Sequence, residues 1–464
     1  MDTKKKRRNI IIVIFTAAVL IAAVFLMLIF VKPSKDSAYD KSLEDNITGI
    51  KVVLKNNKLH ALLNEREIYA SKDEVKVFDF IICDIDRNGD NELLVLCEKK
   101  GRFGNHRPFW IKEDEEEISQ HIFIYDLTEE GVTPKWMASD IGFRVEDWLY
   151  DGAALSLTDE NGERTFWTWK SWGLERADDY ITMIAVGDNI IHSSIIREAE
   201  KNGMNFDYAY DKITPYISKM DISLFVSETP LVDKKSAYGD YPSFGTPKEI
   251  AASMKKAGFD IAACATNHVL DRGSYGLDCT LREYENAGIT PLGIDDMKVT
   301  VKEIKGIKIA FINYTGVINT QKNDLNTVYR VNFLRNEAEI RETIQNAKAN
   351  SDFVVMIVHW GTEYSFEIDE SQKKWSDLFL EEGVDLCIGS HPHVTGPVEI
   401  LSDGNHEMLT YYSLGNFFSS QNRDGTDEGM AAYIALGIKD GKPAILSHKE
   451  YLLKIKKDGV FIEK

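Results

Sequence analysis

The chain has 464 residues, 44% of them hydrophobic and 28% charged, with Lys+Arg 55 against Asp+Glu 74 and a formal net charge of −19. This balance excludes a disordered tail protein and a basic nucleic-acid binder, and the length implies two or three domains of roughly 100–200 residues, each able to bury a core. Cys83, Cys97, Cys264, Cys279 and Cys387 are too few and too scattered for a disulfide framework and read as small buried side chains.

Residues 1–8 form a basic leader, and the first 35 residues together carry a net charge of +6. Asn9 to Val31 then reads NIIIVIFTAAVLIAAVFLMLIFV, an uncharged run long enough to cross a bilayer of about 30 Å as a helix. The alternative is a cleaved signal peptide. Its apolar region is usually about 7–15 residues and ends in a small-residue cleavage site, and the run has neither feature. We therefore read 9–31 as an uncleaved, single-pass transmembrane anchor in the cell membrane. The KKKRR block stays cytoplasmic by the positive-inside rule, and everything after Lys32 lies outside the cytoplasm. Residues 32–74, polar and rich in Lys, Asn and Glu, read as a stalk or linker, or a short helical preface, rather than a folded unit.

From 75 to 178 the pattern is that of an all-β domain. Short alternating runs (KVFDFIICDI, NELLVLCE, HIFIYDL, TPKWMAS, ALSLTD, RTFWTWKSW) are separated by Gly, Asn and Asp, with Trp136, Trp148, Trp167, Trp169 and Trp172 among them. The run Glu113–Glu117 reads as a solvated loop. Asp84, Asp86, Asn88, Asp90 and Glu92 stand in D-I-D-R-N-G-D-N-E, oxygen groups at alternate positions around a Gly turn, as a hard cation such as Ca²⁺ requires. An EF-hand would want Glu where Val95 stands, and flanking helices. The segment resembles instead the loop of the FG-GAP type of β-propeller repeat, over about 15 residues and in one clear copy. A polar hairpin loop without metal is the other reading, and either role is structural.

From 179 to 464 apolar strand runs (ITMIAVGD, ISLFVSE, IAACATNH, IKIAFINY, DFVVMIVHW, LCIGSHPH, MLTYYSLGNFF) alternate with amphipathic runs such as PKEIAASMKKAG and ESQKKWSDLFLEEG. This alternation predicts an α/β domain with a buried sheet. Asp188, Glu228, Asn267, His268, His359, His391 and His393 fall at or just beyond strand C-termini, where open α/β sheets form their ligand crevice. Carboxylates, an amide and imidazoles with no Cys in the motifs themselves favour one or two ions of Mn, Fe or Zn over a structural zinc site. In S-H-P-H, Pro392 fixes the backbone between His391 and His393. The tail from Ser447 to Lys464 alternates apolar and basic residues and predicts an edge strand or two.

The order G-D … E-T-P … N-H-x-x-D-x-G … H-W-G … G-S-H-P-H … S-L-G-N-F, from about Ile181 to Phe418, resembles the CapA family of poly-γ-glutamate capsule synthesis proteins. The resemblance implies a calcineurin-like metallophosphoesterase fold, a two-sheet sandwich flanked by helices. It also implies metal ligands at Asp188, Glu228, Asn267, His359, His391 and His393. His268 and Asp271 match a pair in which a histidine donates a proton and a carboxylate orients it. Asp271 as a helix N-cap is the structural alternative. Three positions depart from the pattern: Ser227 and Thr266 stand where the family has Asn, and Ile190 replaces a metal-binding His of ordinary metallophosphoesterases. His192 is two residues too late to substitute without a different backbone path.

Three functions follow. The first is a membrane-anchored extracytoplasmic component of poly-γ-glutamate synthesis or export with a metal-dependent hydrolase site, working beside polymer synthase subunits. The second is a surface metallophosphoesterase acting on nucleotides, sugar phosphates or wall polymers. The third is a scaffold without catalysis. Residues 36–178 carry −13 and 179–464 carry −12, so a bulk polyanion is repelled and must be engaged locally.

Overall fold

The computed structural model describes residues 40–102, 112–137, 140–171, 173–295, 298–319, 325–328, 330–439 and 441–463. The expected anchor at 9–31 and Trp172 lie outside them. Among the described residues no helix is long and apolar enough to cross a membrane. The chain forms two compact units that divide between Asp178 and Asp179.

The first unit consists of three four-stranded antiparallel sheets, each following chain order. Strands Lys41–Glu44, Lys51–Lys55, Lys58–Leu63 and Arg66–Ala70 make the first, and Lys76–Cys83, Glu92–Lys100, Ile118–Thr128 and Gly131–Met137 the second. Val145–Tyr150, Leu155–Asp159, Arg164–Lys170 and Gly173–Arg176 make the third. The middle sheet is buried on both faces. Leu93, Val95 and Cys97 pack with Val52, Leu54 and Ala61 of the first sheet. Their neighbours Leu94 and Leu96 point the other way, into a core with Trp148, Leu155 and Leu157 of the third. Burial on both faces explains why ELLVLC reads as a continuous apolar run.

The stalk expected over 32–74 is corrected from Lys41 onward, where the chain is the first of these sheets. Its polarity comes from two tight hairpins. Asn56-Asn57 and Asn64-Glu65 all have positive φ, the conformation of a type I′ turn, which Asn tolerates best after Gly. The alternation KVVLK/KLHALL buries Val52, Leu54, Leu59 and Ala61 on one face while exposing lysines on the other.

The D-I-D-R-N-G-D-N-E segment joins the first two strands of the middle sheet, and its charge is met from within the chain. The Lys135 ammonium lies 2.6 Å from Asp86, 2.6 Å from Glu92 and 2.9 Å from Asp126. Asp84 accepts backbone N–H bonds from Asn88 and Gly89, and Asn88 accepts one from Asp90. Asp84, Asp86 and Glu92 converge closely enough to hold a cation, and the Lys135 ammonium already pairs with two of the three. The first hairpins of the other two sheets also carry an Asp that accepts backbone N–H bonds, Asp45 from Thr48 and Asp151 from Ala153 and Ala154, each in a different pattern.

The second unit is a four-layer αββα sandwich. One sheet has the order Thr290–Leu292, Ile261–Ala263, Ile222–Ser227, Ile181–Asn189, Glu428–Lys439, Lys442–Lys456, Gly459–Ile462, with Asn416–Phe418 pairing beside Ile181–Asn189. The other has the order Thr300–Ile304, Ile307–Thr315, Phe353–His359, Leu386–Ser390, Glu407–Tyr411, Val398–Ser402. Met183, Leu224 and Ile434 of the first sheet meet Phe311, Val355 and Ile388 of the second. Helices Ser193–Lys201, Ile250–Ala257 and Gly273–Ala287 cover the outer face of the first sheet, and Glu337–Asn350 and Glu370–Glu382 that of the second. The run MLTYYSLGNFF, read as one strand, is two: it leaves the second sheet at Tyr411 and joins the first at Asn416, turning at Gly415 with φ +67°. The tail supplies a long hairpin strand and the edge strand Gly459–Ile462.

Candidate active site

The parallel strands of both sheets end on the same side, and the predicted polar residues meet there. Asp188 closes Ile181–Asn189, Glu228 follows Ile222–Ser227, and Asn267 and His268 lie just past Ile261–Ala263. From the other sheet His359 ends Phe353–His359, and His391 and His393 follow Leu386–Ser390. The approach to Asp188 depends on Gly187. A Cβ there would lie 1.9 Å from the Gly415 carbonyl, the group that accepts the Asp188 N–H at 2.9 Å. His391 and His393 both hold positive φ, +99° and +62°, a strained backbone for non-glycine residues that aims both rings into the crevice.

All six expected ligand residues are buried and linked. Asp188 Oδ2 accepts the His391 N–H at 3.1 Å and lies 3.2 Å from His393 Nδ1. His393 Nε2 lies 3.6 Å from Glu228, and His359 Nδ1 lies 3.7 Å from Asp188 Oδ1. His359 Nε2 is 3.0 Å from Asn267 Oδ1 and 3.1 Å from His391 Nδ1. Ser390 Oγ, 2.8 Å from His359 Nδ1, fixes that ring's orientation. Asp188 Oδ1 and Glu228 Oε2 have no hydrogen-bond partner although both are buried. Such orphaned carboxylate oxygens are costly in a native interior. With converging imidazoles opposite, they fit a divalent cation of the Mn, Fe or Zn type. Asp188, Glu228 and His393 form one group able to hold a metal, and His391 and His393 form a second with Glu363.

Electrostatics express the same crowding. Burial, and then the neighbouring Asp188, push the Glu228 carboxyl well above its ordinary range. Burial, reinforced by His391 and His393, pushes His359 well below the usual histidine value. Burial and His393 lower His391 to about 4 despite the opposing Asp188. Without a cation the site therefore favours a protonated Glu228 and neutral His359 and His391.

Beside this cluster, His268 Nδ1 lies 2.7 Å from Asp271 Oδ2. The same oxygen accepts the Phe244 N–H at 2.7 Å, and the Phe244 ring meets His268 edge-on at 4.7 Å. The carboxylate holds a proton on Nδ1 and leaves Nε2 as the exchangeable nitrogen. Asp271 does not cap the following helix, whose N-cap is Arg272.

The departures from the family pattern have packing explanations. Ser227 Oγ turns away to Tyr284 OH at 2.7 Å. Thr266 Oγ1 donates to the Glu228 carbonyl at 2.8 Å and ties two site loops together. Ile190 is core, with its N–H on the Phe418 carbonyl. His192 begins the helix Ser193–Lys201, meets Phe244 edge-on at 5.3 Å, and is lowered by burial, with His393 and His268 adding to the effect.

Two residues escaped the sequence reading. Glu363 stands four residues after His359 in H-W-G-T-E, so its signal was one turn beyond the motif. Arg272 follows Asp271 and clasps the loop that carries Phe244. Its guanidinium donates to the carbonyls of Ala237 at 2.8 Å and Ser243 at 2.9 Å.

The family model described as bacterial capsule synthesis protein PGA_cap matches residues 182–421, just over half of the chain. The chain is 25% identical over 285 residues to the capsule biosynthesis protein CapA of Bacillus anthracis, covering 58% of this chain and 67% of that one. It is 27% identical over 255 residues to the PGA biosynthesis protein CapA of Bacillus subtilis, covering 53% and 65%. The match thus spans about two thirds of the length of these relatives. In structure it is similar to a calcineurin-like phosphoesterase of Bacillus subtilis, YfkN, at 13% identity and a TM-score of 0.35, covering 59% of this chain and 90% of the other. The chain belongs to the PGA_cap family of bacterial capsule synthesis proteins, the family of CapA.

Proposed function

We propose that the protein is a membrane-anchored, extracytoplasmic metal-dependent hydrolase of the CapA type that acts on poly-γ-glutamate during its synthesis or export, beside the subunits of a polymer synthase. The observation that carries the catalytic part is the pairing of two orphaned buried carboxylate oxygens, on Asp188 and Glu228, with a histidine–carboxylate couple next to them. Family membership supports the polymer, and the uncharged run 9–31 supports the anchor.

Asp188, Glu228, Asn267, His359, His391 and His393 would hold one or two divalent ions. Bound there, such an ion polarises the oxygen of an acyl or phosphoryl group and acidifies water. The remaining chemistry belongs to the chain. His268 Nε2 delivers a proton to the leaving group, while Asp271 keeps the ring in register and compensates its charge. Phe244 and the Arg272 clasp hold that pair against the site.

The test is complementation of a deletion strain with His268→Ala, run beside a phosphoester screen of the purified full-length chain. Hydrolysis predicts that the variant keeps its fold and metal yet fails to restore polymer output. Restored output would favour a scaffold. A turned-over phosphoester with normal polymer would favour the surface metallophosphoesterase.

A further inference from the structure

The rim of the strand-end crevice carries a cation with no acidic partner among the described residues. The Arg423 guanidinium lies over the Tyr364 ring at 4.0 Å, and no carboxylate pairs with it. Three other arginines of this unit are already engaged with carboxylates: Arg282 with Asp233, Arg330 with Asp278 and Asp295, Arg341 with Glu381 and Glu382. The Tyr364 ring in turn lies 5.7 Å from that of His393. Arg423, Tyr364 and the metal-site imidazole of His393 thus follow one another in contact, the two rings tilted by 46°.

Tyr364 and Arg423 are held from both sides. The Tyr364 N–H donates at 2.8 Å to the carbonyl of Pro392, between the two site histidines, and Tyr364 keeps φ at +64°. Its hydroxyl accepts from Gln421 Nε2 at 3.4 Å. Opposite, the Arg423 carbonyl accepts from Thr426 N at 3.1 Å and Thr426 Oγ1 at 2.7 Å, and Asn416 Nδ2 ties Thr426 to the first sheet. A guanidinium over an aromatic face keeps its N–H edges free for a planar, two-oxygen anion.

We propose that Arg423 is the anion-recognition residue of this crevice and takes a substrate carboxylate borne next to the bond that the site attacks. The proposal rests on the poly-γ-glutamate reading and deepens it. Each γ-linked unit carries an α-carboxylate beside its amide, and a domain with a charge of −12 repels such a chain unless a local cation receives it. Glu363, exposed beside His391 and His393, adds to that repulsion, and Arg423 offsets it where the polymer would enter.

The experiment measures binding of a γ-linked glutamate hexamer, of its α-carboxamide counterpart and of inorganic phosphate to the full-length chain and to Arg423→Gln. Metal content is assayed in both proteins as the control for an intact site. The expected result is hexamer binding that weakens about tenfold or more in Arg423→Gln, with the carboxamide hexamer binding both proteins equally weakly. Equal hexamer affinity in the two proteins overturns the proposal, as does a carboxamide hexamer that still distinguishes them. If the metal is present and neither hexamer binds, the polymer reading fails on its own. Phosphate binding that Arg423→Gln abolishes would then reassign the residue to a phosphoester, and unchanged phosphate binding would remove its role in anion recognition altogether.

Discussion

The carboxylates of the D-I-D-R-N-G-D-N-E loop in the β unit and those at the strand ends of the second unit differ in where their charge goes. In the β unit Asp86 and Glu92 surround the Lys135 ammonium, and Asp84 is occupied by backbone N–H groups. At the strand ends Asp188 and Glu228 are buried, lie in one cluster with His359 and His391, whose pKa values burial lowers, and retain oxygens without hydrogen-bond partners. An acidic motif points to a metal when its oxygens cannot be satisfied from within the chain. The first cluster is complete as it stands, and the second is not.

The comparison is broken most severely at His268. His268→Ala should leave the ligand cluster intact and lower turnover by about 10²–10⁴-fold, read as kcat on whichever substrate the wild type accepts. A loss of metal together with activity would mean that His268 belongs to the ligand set instead.

Next in size is acid sensitivity of the strand-end site. His359 and His391 are depressed in the folded state, so the stability they confer is present above their ordinary 6.5 and is lost as pH falls toward the about 4 of His391. Glu228 acts oppositely, its raised carboxyl stabilising the metal-free fold at low pH and ceasing to do so as pH rises through its folded value. Chelated Glu228→Gln removes that opposing effect. Its unfolding free energy should fall between pH 6.5 and 4, by about 3 kcal/mol from His391 alone. A flat profile would contradict the burial assigned to these rings.

In the β unit Lys135→Met should cost about 2 kcal/mol by leaving Asp86 and Glu92 unpaired. It should also convert the loop into one that calcium stabilises, whereas the wild-type melting temperature should not respond to calcium. A calcium-dependent wild type would restore the metal reading of that loop. The smallest effect expected is at the hairpins: Asn64→Ala, at φ +49°, should cost about 1 kcal/mol in thermal unfolding.

Much of the second unit is legible in the sequence because its signals are local. An apolar run ending in a polar residue marks both a buried strand and what stands at its tip, so Asp188, Glu228, Asn267 and the histidines can be placed before any contact is known. Asn56-Asn57 is equally local, but its meaning depends on weighing alternation above polarity, and polarity suggested a stalk. Lys135 is not legible from the motif it neutralises, since 43 residues separate it from Glu92 in the chain. Arg423 belongs to the same class: only the folded chain brings it onto Tyr364. The break in MLTYYSLGNFF was hidden because both halves are apolar and only Gly415 marks the change of sheet.

The most direct measurement is the metal content of the full-length chain, purified without chelator, beside Asp188→Asn and Lys135→Met. The account predicts bound Mn, Fe or Zn in the wild type and in Lys135→Met, and its loss in Asp188→Asn. A wild-type protein without transition metal, or an Asp188→Asn variant that retains it in full, would contradict the claim that the unpartnered carboxylates at the strand ends are there to hold a cation.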